Sequence, residues 1–137
     1  MKLYHFTDVR NIESIKTHGL LSWWRLLGKQ IDFIPASSRD SRNIDQRQGL
    51  HNYVRLCKSP NHPMAFRAKH EGRIGNFDWL EIDGSLVNWR NTMFSDVNAV
   101  ANRATVNNNK NTFLNSNDVQ AEVLVFGSLN TNWITFP

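Results

Sequence analysis

The alternation of apolar and polar residues at the start of the chain predicts a strand followed by a helix. Residues 3–6 (LYHF) alternate and carry two aromatic side chains, which is typical of a short strand. The polar pair at 7–8 can cap a helix in which Ile12 and Ile15 recur on one face. Gly19 suits the position just after a helix end, so we expect the helix to stop there.

The rest of the chain predicts short elements separated by long connections. We expect strands at 53–56, 79–82 and 121–126, and short helices at 64–70 and 97–101. The stretches 28–52 and 107–118 are polar and lack an apolar period, so both are expected to be loops. The pattern indicates a single domain over residues 1–137 with an α+β fold, in which small mixed strands pack with short helices and long loops.

One residue of the predicted strand at 121–126 does not suit a hydrophobic core. Glu122 stands among apolar neighbours and shares a face of the strand with Gln120, Leu124 and Phe126. A carboxylate in that setting is costly unless it is paired or used in chemistry. Both a carboxylate at the rim of the strand and a catalytic carboxylate fit this pattern.

The positive charge of the chain is concentrated in one window. The net charge is +4, whereas residues 39–73 carry eight Lys and Arg residues against three Asp and Glu residues. This local excess favours a polyanionic partner such as nucleic acid or a dinucleotide phosphate, although a solvated basic surface has the same composition. Arg55 and Lys58 lie in this window and are expected to contact phosphate groups.

Composition excludes several other classes of protein. The single cysteine, Cys57, excludes an intramolecular disulfide framework and a multi-cysteine zinc site, and we expect no metal. No apolar run approaches the roughly 18 residues of a membrane span, and the N-terminus lacks a signal-peptide core. We therefore expect a cytoplasmic protein without a membrane partner.

Four segments of the chain form a recognisable series. Residues 4–7 read YHFT and are followed by NI at 11–12, Ile15 and GLL at 19–21; residues 51–54 read HNYV and are followed by SP at 59–60 and PM at 63–64; residues 94–99 read FSDVNA; residues 120–125 read QAEVLV. In this order they resemble the DarT family of DNA-targeting ADP-ribosyltransferase toxins. The chain lacks the family's DW…YW stretch. Asn61 and His62 stand where the family has Arg and Ser, which leaves DNA and RNA both open as substrates.

The resemblance implies an ADP-ribosyltransferase-like fold that consumes NAD. Glu122 matches the catalytic glutamate, and Arg42, with Arg39 as the alternative, matches the catalytic arginine. A fixed carboxylate suits this chemistry because positive charge develops on the ribose as nicotinamide leaves, and an arginine matches the pyrophosphate. The implied NAD contacts are His5, Phe6, Thr7, Ser14, Ser22 and Arg42, and the implied nucleic-acid contacts are Asn61, His62, Pro63 and Met64.

The leading hypothesis is an NAD-dependent ADP-ribosyltransferase that modifies a base in single-stranded DNA or RNA. It would act as a toxin of a toxin–antitoxin or phage-defence system and would have a cognate antitoxin as partner. Three alternatives remain: a protein-targeting ADP-ribosyltransferase with the Gln120-x-Glu122 motif, a non-catalytic single-stranded nucleic-acid binding module, and a metal-independent ribonuclease using His5 and His51. The embedded Glu122 favours the two transferases, because the last two alternatives do not need it.

Overall fold

A computed structural model describes all residues from 1 to 137 as an α+β arrangement of short elements. The strands are β1 (Lys2–Asp8), β2 (Leu20–Leu21), β3 (Tyr53–Leu56), β4 (Phe77–Asp83), β5 (Met93–Ser95), β6 (Val106–Asn107), β7 (Glu122–Phe126), β8 (Ser128–Leu129) and β9 (Ile134–Thr135). The α-helices are α1 (Ile12–His18), α2 (Trp23–Gly28), α3 (Arg39–Arg47), α4 (Pro63–His70) and α5 (Lys110–Leu114). None of the five α-helices has the length and apolar character needed to span a bilayer.

Two antiparallel sheets form the frame of the molecule. The first has the strand order β1-β4-β9 and the second β3-β7-β5-β6, while β2 and β8 form a small separate pair. An isolated bridge joins the two larger sheets, because Tyr4 and Cys57 exchange two backbone hydrogen bonds of 2.9 Å. This bridge brings β1 beside β3, the two strands that line the site described below.

The two larger sheets share one hydrophobic core. Leu3, Leu80 and Ile82 enter it from the first sheet, and Leu56 and Val123 enter it from the second; each is at most 1% exposed. The alternation along β1 and β4 places these residues on one face of the first sheet, since side chains of a strand alternate between its faces. The opposite face of that sheet carries Phe6, Phe77 and Trp79, which are only partly buried.

The predicted opening of strand, cap, helix and glycine is confirmed. The Asp8 side chain accepts a hydrogen bond from the backbone N–H of Arg10 at the start of a 3₁₀ turn that leads into α1. Gly19 ends α1 with φ +82°, a left-handed value that glycine adopts readily. A Cβ atom there would lie 2.9 Å from the backbone oxygen of Leu129, so the small pair β2–β8 also requires this glycine.

The strands predicted at 3–6, 53–56, 79–82 and 121–126 and the helix at 64–70 are confirmed with small shifts in their ends. The prediction of loops throughout 28–52 and 107–118 was wrong, because α3 and α5 lie within these stretches. Each helix is capped by a side chain of low helix propensity: Ser38 accepts from Ser41 N, and Asn109 accepts from Asn111 N.

The helix predicted at 97–101 is absent. Ser95, just before this stretch, belongs to β5, and its hydroxyl donates to the backbone oxygen of Val97 while accepting from Glu122 N. The Ser95 hydroxyl therefore binds two backbone groups that are not helical. The turn that replaces the helix carries Ala99 towards Glu122, which proves important for the site.

Phe113 explains why an asparagine-rich segment folds into a helix, and it provides a stability test. Its side chain is fully buried in the core, whereas the neighbouring Leu114 on α5 is 40% exposed. We expect Phe113→Ala to lower the free energy of unfolding by about 3–5 kcal/mol, because it leaves a cavity. Leu114→Ala is the matched control and should change it by less than about 1 kcal/mol. Chemical denaturation followed by circular dichroism measures both; equal losses would contradict the packing described.

Candidate active site

A cavity of about 250 Å³ lies beside the bridge between the two larger sheets. Its walls come from β1, α1, the loop at 33–37, α3, β3 and the start of β7. The lining includes most of the predicted NAD contacts, namely His5, Phe6, Thr7, Ser14 and Ser22, together with the predicted catalytic Glu122. The sequence prediction therefore identified side chains that the fold brings to one place.

Glu122 begins β7 and is only 8% exposed. Its Oε1 atom accepts hydrogen bonds from Arg55 Nη1 at 3.2 Å and from the backbone N–H of Ala99 at 2.8 Å. Burial raises the pKa of Glu122 above its usual range, and the opposing effects of the Arg55 charge and the Ala99 N–H limit the rise. The carboxylate is thus held in place by two donors.

Arg55 lies on β3 and joins two carboxylates. Its Nη2 atom is 2.5 Å from Asp45 Oδ1, while Nη1 binds Glu122. The other oxygen of Asp45 accepts from the indole N–H of Trp23 at 3.3 Å. Burial disfavours the charge on Arg55, but the two carboxylates outweigh this effect and raise its pKa. The guanidinium is therefore permanently charged and fixed between α3 and β7.

The sequence analysis did not assign this role to Arg55, although a signal was present. Arg55 stands between Val54 and Leu56, which are 3% and 1% exposed. The reasoning that singled out Glu122, a charged residue inside an apolar strand, applies equally to Arg55. Only the pairing of β3 with β7 reveals that the two charges meet.

His5 presents a defined tautomer to the site. Its Nδ1 atom is 2.9 Å from the backbone oxygen of Arg55, and a carbonyl oxygen can only accept, so Nδ1 carries the hydrogen. Burial lowers the pKa of His5, which favours the neutral ring. In that neutral ring Nε2 is an acceptor. His5 thus supplies an acceptor, suited to a hydroxyl or amide N–H, rather than a second donor.

Asn11 holds the loop that forms one wall of the cavity. Its side chain donates to the backbone oxygen of Ile34 at 2.9 Å and accepts from the backbone N–H of Ile34 at 2.8 Å. The same amide donates to Thr7 Oγ1 at 3.0 Å. One side chain thereby fixes a loop 23 residues away and orients the Thr7 hydroxyl, a role that the sequence analysis did not assign.

The two predicted serines differ in their freedom to bind a ligand. Ser22 is 2% exposed, and its hydroxyl donates to Asn52 Oδ1 and accepts from the backbone N–H of Arg25 at the start of α2. It therefore already has both a donor and an acceptor contact within the protein. Ser14 lies on α1, is partly exposed and lines the cavity.

Arg42, the predicted catalytic arginine, lies on α3 outside the cavity lining. Its Nη1 atom donates to the backbone oxygen of Ser37 at 2.6 Å and to the Ser37 hydroxyl at 3.1 Å. Ser37 itself lines the cavity, so Arg42 stands directly behind the rim. The alternative, Arg39, is exposed on the first turn of the same helix. The arginine that touches Glu122 is Arg55, and the structure brings neither predicted arginine to it.

The predicted nucleic-acid contacts divide into two groups. Asn61 and Pro63 are exposed, while His62 and Met64 line the cavity. His62 is 5% exposed; its Nδ1 atom accepts from the backbone N–H of Met64 at the start of α4, and burial lowers its pKa. This segment therefore lies at the mouth of the cavity.

Arg55 and Lys58, the expected phosphate contacts, both have partners within the protein. Arg55 is engaged by two carboxylates, and the Lys58 ammonium donates to the backbone oxygen of Ser116 and lies 4.8 Å from the centre of the Phe113 ring. These two cations of the window 39–73 are thus bound within the molecule, because nearby carboxylates, a carbonyl oxygen and a ring face attract them.

The two histidines of the ribonuclease alternative lie apart. The ring of His51 packs on that of Trp24, with ring centres 4.6 Å apart, and His51 is not part of the cavity lining.

The fold is shared with solved DarT structures. Thermosipho africanus DarTG in complex with ADP-ribose superposes with a TM-score of 0.81 at 16% identity, over 98% of this chain and 42% of that one. Thermus sp. 2.9 DarT in complex with ADP-ribosylated ssDNA gives 0.72 at 17% identity, over 97% and 78%. The same Thermus protein in complex with carba-NAD⁺ gives 0.69 at 19% identity, over 97% and 79%. This chain therefore spans less than half the length of the Thermosipho protein.

The family follows from a separate comparison. The family model described as "ssDNA thymidine ADP-ribosyltransferase, DarT" matches residues 4–135, so the chain belongs to the DarT family. No curated protein gives a significant match. Membership confirms the predicted family, and the shared structures confirm the predicted fold.

The ion pair between Arg55 and Glu122 leads to a prediction about how activity depends on pH. Arg55 lowers the pKa of Glu122 against the effect of burial, so Arg55→Gln should raise that pKa further. If activity needs the carboxylate ionised, the acid limb of the pH–rate profile moves to higher pH, and activity is lost sooner as pH falls. Release of nicotinamide from NAD measures this limb.

Arg55→Lys is the matched control, because it keeps the positive charge but not the two-pronged geometry. It should leave the acid limb closer to that of the wild type while lowering the maximal rate. Thermal melts of both variants check that they fold. An unchanged acid limb in a folded Arg55→Gln variant would separate Arg55 from the ionisation of Glu122.

Proposed function

We propose that this chain transfers ADP-ribose from NAD to a thymidine base in single-stranded DNA, with Glu122 as the catalytic carboxylate. The observation that carries the proposal is the buried Glu122 carboxylate, fixed at the cavity by Arg55 and the Ala99 N–H. The choice of base and strand rests on the description of the family to which the chain belongs. Thermus sp. 2.9 DarT, which shares the fold, was determined with ADP-ribosylated ssDNA.

The cavity suits part of NAD. Its volume of about 250 Å³ is slightly below the roughly 300–1,000 Å³ of pockets that enclose a whole ligand. We infer that it takes the nicotinamide end with its ribose, while the remaining part lies along the rim. The polar groups that line it are mixed donors and acceptors, as a ribose and a carboxamide require.

Glu122 acts on the bond between nicotinamide and ribose. As that bond breaks, positive charge develops on the ribose, and an ionised carboxylate fixed beside it lowers the free energy of the transition state. Nicotinamide leaves as a neutral molecule with the bonding electrons, a nitrogen of the base forms the new bond to the sugar carbon, and the proton of that nitrogen is released to solvent. Because Arg55 and Ala99 hold the carboxylate beforehand, little reorganisation is needed when the charge appears.

His5 and Arg42 bind the donor in this proposal. The neutral His5 ring offers Nε2 as an acceptor to a ribose hydroxyl or to the carboxamide. Arg42 stands behind Ser37 at the rim and still has donors free for the pyrophosphate, because only its Nη1 atom is hydrogen-bonded within the protein. Arg39 remains the alternative.

The biological setting that we propose is a cytoplasmic toxin with an antitoxin partner. Covalent modification of bases would block replication unless another protein reversed or prevented it. The family resemblance and the fold shared with Thermosipho africanus DarTG support this setting. No specific observation supports the alternative in which the chain modifies proteins, and the assays below distinguish protein from nucleic-acid substrates.

The catalytic role of Glu122 gives the first test of this function. Glu122→Gln nearly preserves the shape of the side chain and should reduce transfer by about 10²-fold or more. Expression in a bacterial host should change from toxic to tolerated. The assay follows ADP-ribose attached to thymidine-containing single-stranded DNA, with RNA, duplex DNA and protein lysate as comparison substrates.

Three outcomes would contradict the proposal. A folded Glu122→Gln variant with full activity would remove Glu122 from catalysis. Modification of protein alone, with no product on DNA or RNA, would replace the proposed substrate by the protein-targeting alternative. Wild-type protein without any NAD turnover would contradict the proposed transferase activity of this chain.

Substitutions on α3 test separately whether Arg42 or Arg39 contacts NAD. Arg42→Ala should raise KM for NAD by about 10- to 100-fold, the loss expected for a charge-assisted hydrogen-bonded contact. Arg42→Lys should recover only part of this, since lysine lacks the planar fork. Arg39→Ala is the matched control, with the same change on the exposed first turn of the helix, and should leave KM near the wild-type value. The reverse result would assign the contact to Arg39.

A further inference from the structure

Four aromatic side chains, of which only Phe6 lines the cavity, form a continuous group, which we call the aromatic ridge: Phe6, Phe66, Phe77 and Trp79. Phe6 on β1 and Trp79 on β4 are direct cross-strand partners with ring centres 5.6 Å apart. Phe77 lies 6.3 Å from Phe6 and 6.2 Å from Trp79. Phe66 on α4 extends the group, with its ring 5.4 Å from that of Phe77.

The outer end of the aromatic ridge is exposed although the fold does not require it there. Phe66 is 55% exposed, while Ala65 and Ala68, fully buried, provide the packing of α4 against the molecule. Phe77 and Trp79 are partly exposed on the face of the first sheet that points away from the core. A contiguous exposed aromatic group of this kind indicates a binding surface.

The inner end of the aromatic ridge reaches the cavity. Phe6 lines the cavity, and its ring lies 6.4 Å from the ring of His62, which also lines it. His62 belongs to the segment 61–64 at the cavity mouth, and α4 with Phe66 follows directly from that segment. A single-stranded nucleic acid whose target base enters the cavity would therefore place its neighbouring nucleotide at the aromatic ridge.

The charge beside the aromatic ridge is positive. The last turn of α4 carries Arg67, Lys69 and His70. Glu71 pairs with Arg67 and also with Arg73, whereas Lys69 has no carboxylate partner. The Lys69 ammonium binds the amide oxygen of Asn76 and lies 6.0 Å from the centre of the Phe77 ring. An aromatic ring beside an unpaired cation matches a base and its phosphate better than it matches an apolar protein surface.

We propose that the aromatic ridge stacks a base that flanks the modified nucleotide, with Lys69 placed near its phosphate. This inference rests on the proposed function, because it assumes that single-stranded nucleic acid enters the cavity. Stacking on aromatic side chains is tolerant of sequence, since every base has a flat face. The aromatic ridge therefore adds affinity for a neighbouring nucleotide without specifying which base it carries.

The experiment is a double-mutant cycle that combines substitution of Phe66 with removal of single bases from the oligonucleotide. Nucleotides on each side of the target thymidine are replaced one at a time by an abasic residue, and kcat/KM is measured for wild-type and Phe66→Ala proteins. In the wild type, one flanking position should lose about 5- to 100-fold when its base is removed. In Phe66→Ala the same base removal should cost little, because the stacking partner is already gone.

Two further variants make the result specific. Phe66→Tyr keeps the ring and should retain the wild-type sensitivity to base removal. Phe126→Ala is the matched control, because Phe126 is 51% exposed and lies outside the aromatic ridge, at the end of β7. It should keep the wild-type pattern. Cleavage of NAD without DNA and the thermal melt should stay unchanged in Phe66→Ala.

The possible failures are distinguishable. If the wild type modifies no single-stranded DNA, the proposed function fails and the inference falls with it. If the wild type is active but no flanking position couples to Phe66, or if Phe126→Ala shows the same loss, the aromatic ridge does not stack a base. Unchanged DNA modification by Phe66→Ala with lost binding of a protein partner would assign the surface to that partner and likewise overturn the proposal.

Discussion

A buried guanidinium between two carboxylates is the interaction on which the candidate active site depends. Arg55 binds Asp45 and Glu122 from one planar group, and so joins α3, β3 and β7. Placing three charges in a poorly solvated cavity costs free energy, and only close, well-aligned contacts offset that cost. Loss of Arg55 would leave two carboxylates without a cation, and loss of either carboxylate would remove one of the two contacts that fix the guanidinium, so the three residues hold each other in register. Glu122 is therefore positioned before any substrate arrives.

Uncharged side chains complete the site by fixing its loops. Asn11 binds both backbone groups of Ile34, and Ser22 links the start of α2 to Asn52. Each contact pairs a polar group that burial would otherwise leave unsatisfied, which makes the loop conformation energetically specific. A chain of modest length can in this way build a defined cavity largely from connecting segments, with the two sheets as support.

The local excess of positive charge has a different meaning in the folded molecule than in the sequence. Arg55 is used inside the cavity, Arg67 and Arg73 share Glu71, and Lys58 binds a backbone oxygen. Fewer cations remain for phosphate contacts than the composition of the window indicates. Aromatic surface beside the cavity accordingly contributes more to the proposed recognition of a single strand than charge does.

Local patterns in the sequence determined the strong elements and singled out Glu122. The alternation in β1, the apolar run in β7 and the stop at Gly19 are short-range features, and a carboxylate in an apolar strand is conspicuous wherever the strand lies. The helices α3 and α5 escaped prediction because they are short and polar. α5, for example, is held by the buried ring of Phe113 rather than by intrinsic propensity.

The partner of the Glu122 carboxylate was decided only by the tertiary structure. Arg55 and Glu122 are 67 residues apart, and their contact depends on the register of β3 against β7. No periodicity carries that information, because a shift of one residue in the register would turn the side chains to the opposite face. The same holds for Arg42, which sequence order places near the site but which the fold leaves behind its rim. The sequence thus determined which chemistry is present, and the pairing of strands determined which charges meet, because long-range contacts are selected by burial and geometry rather than by local pattern.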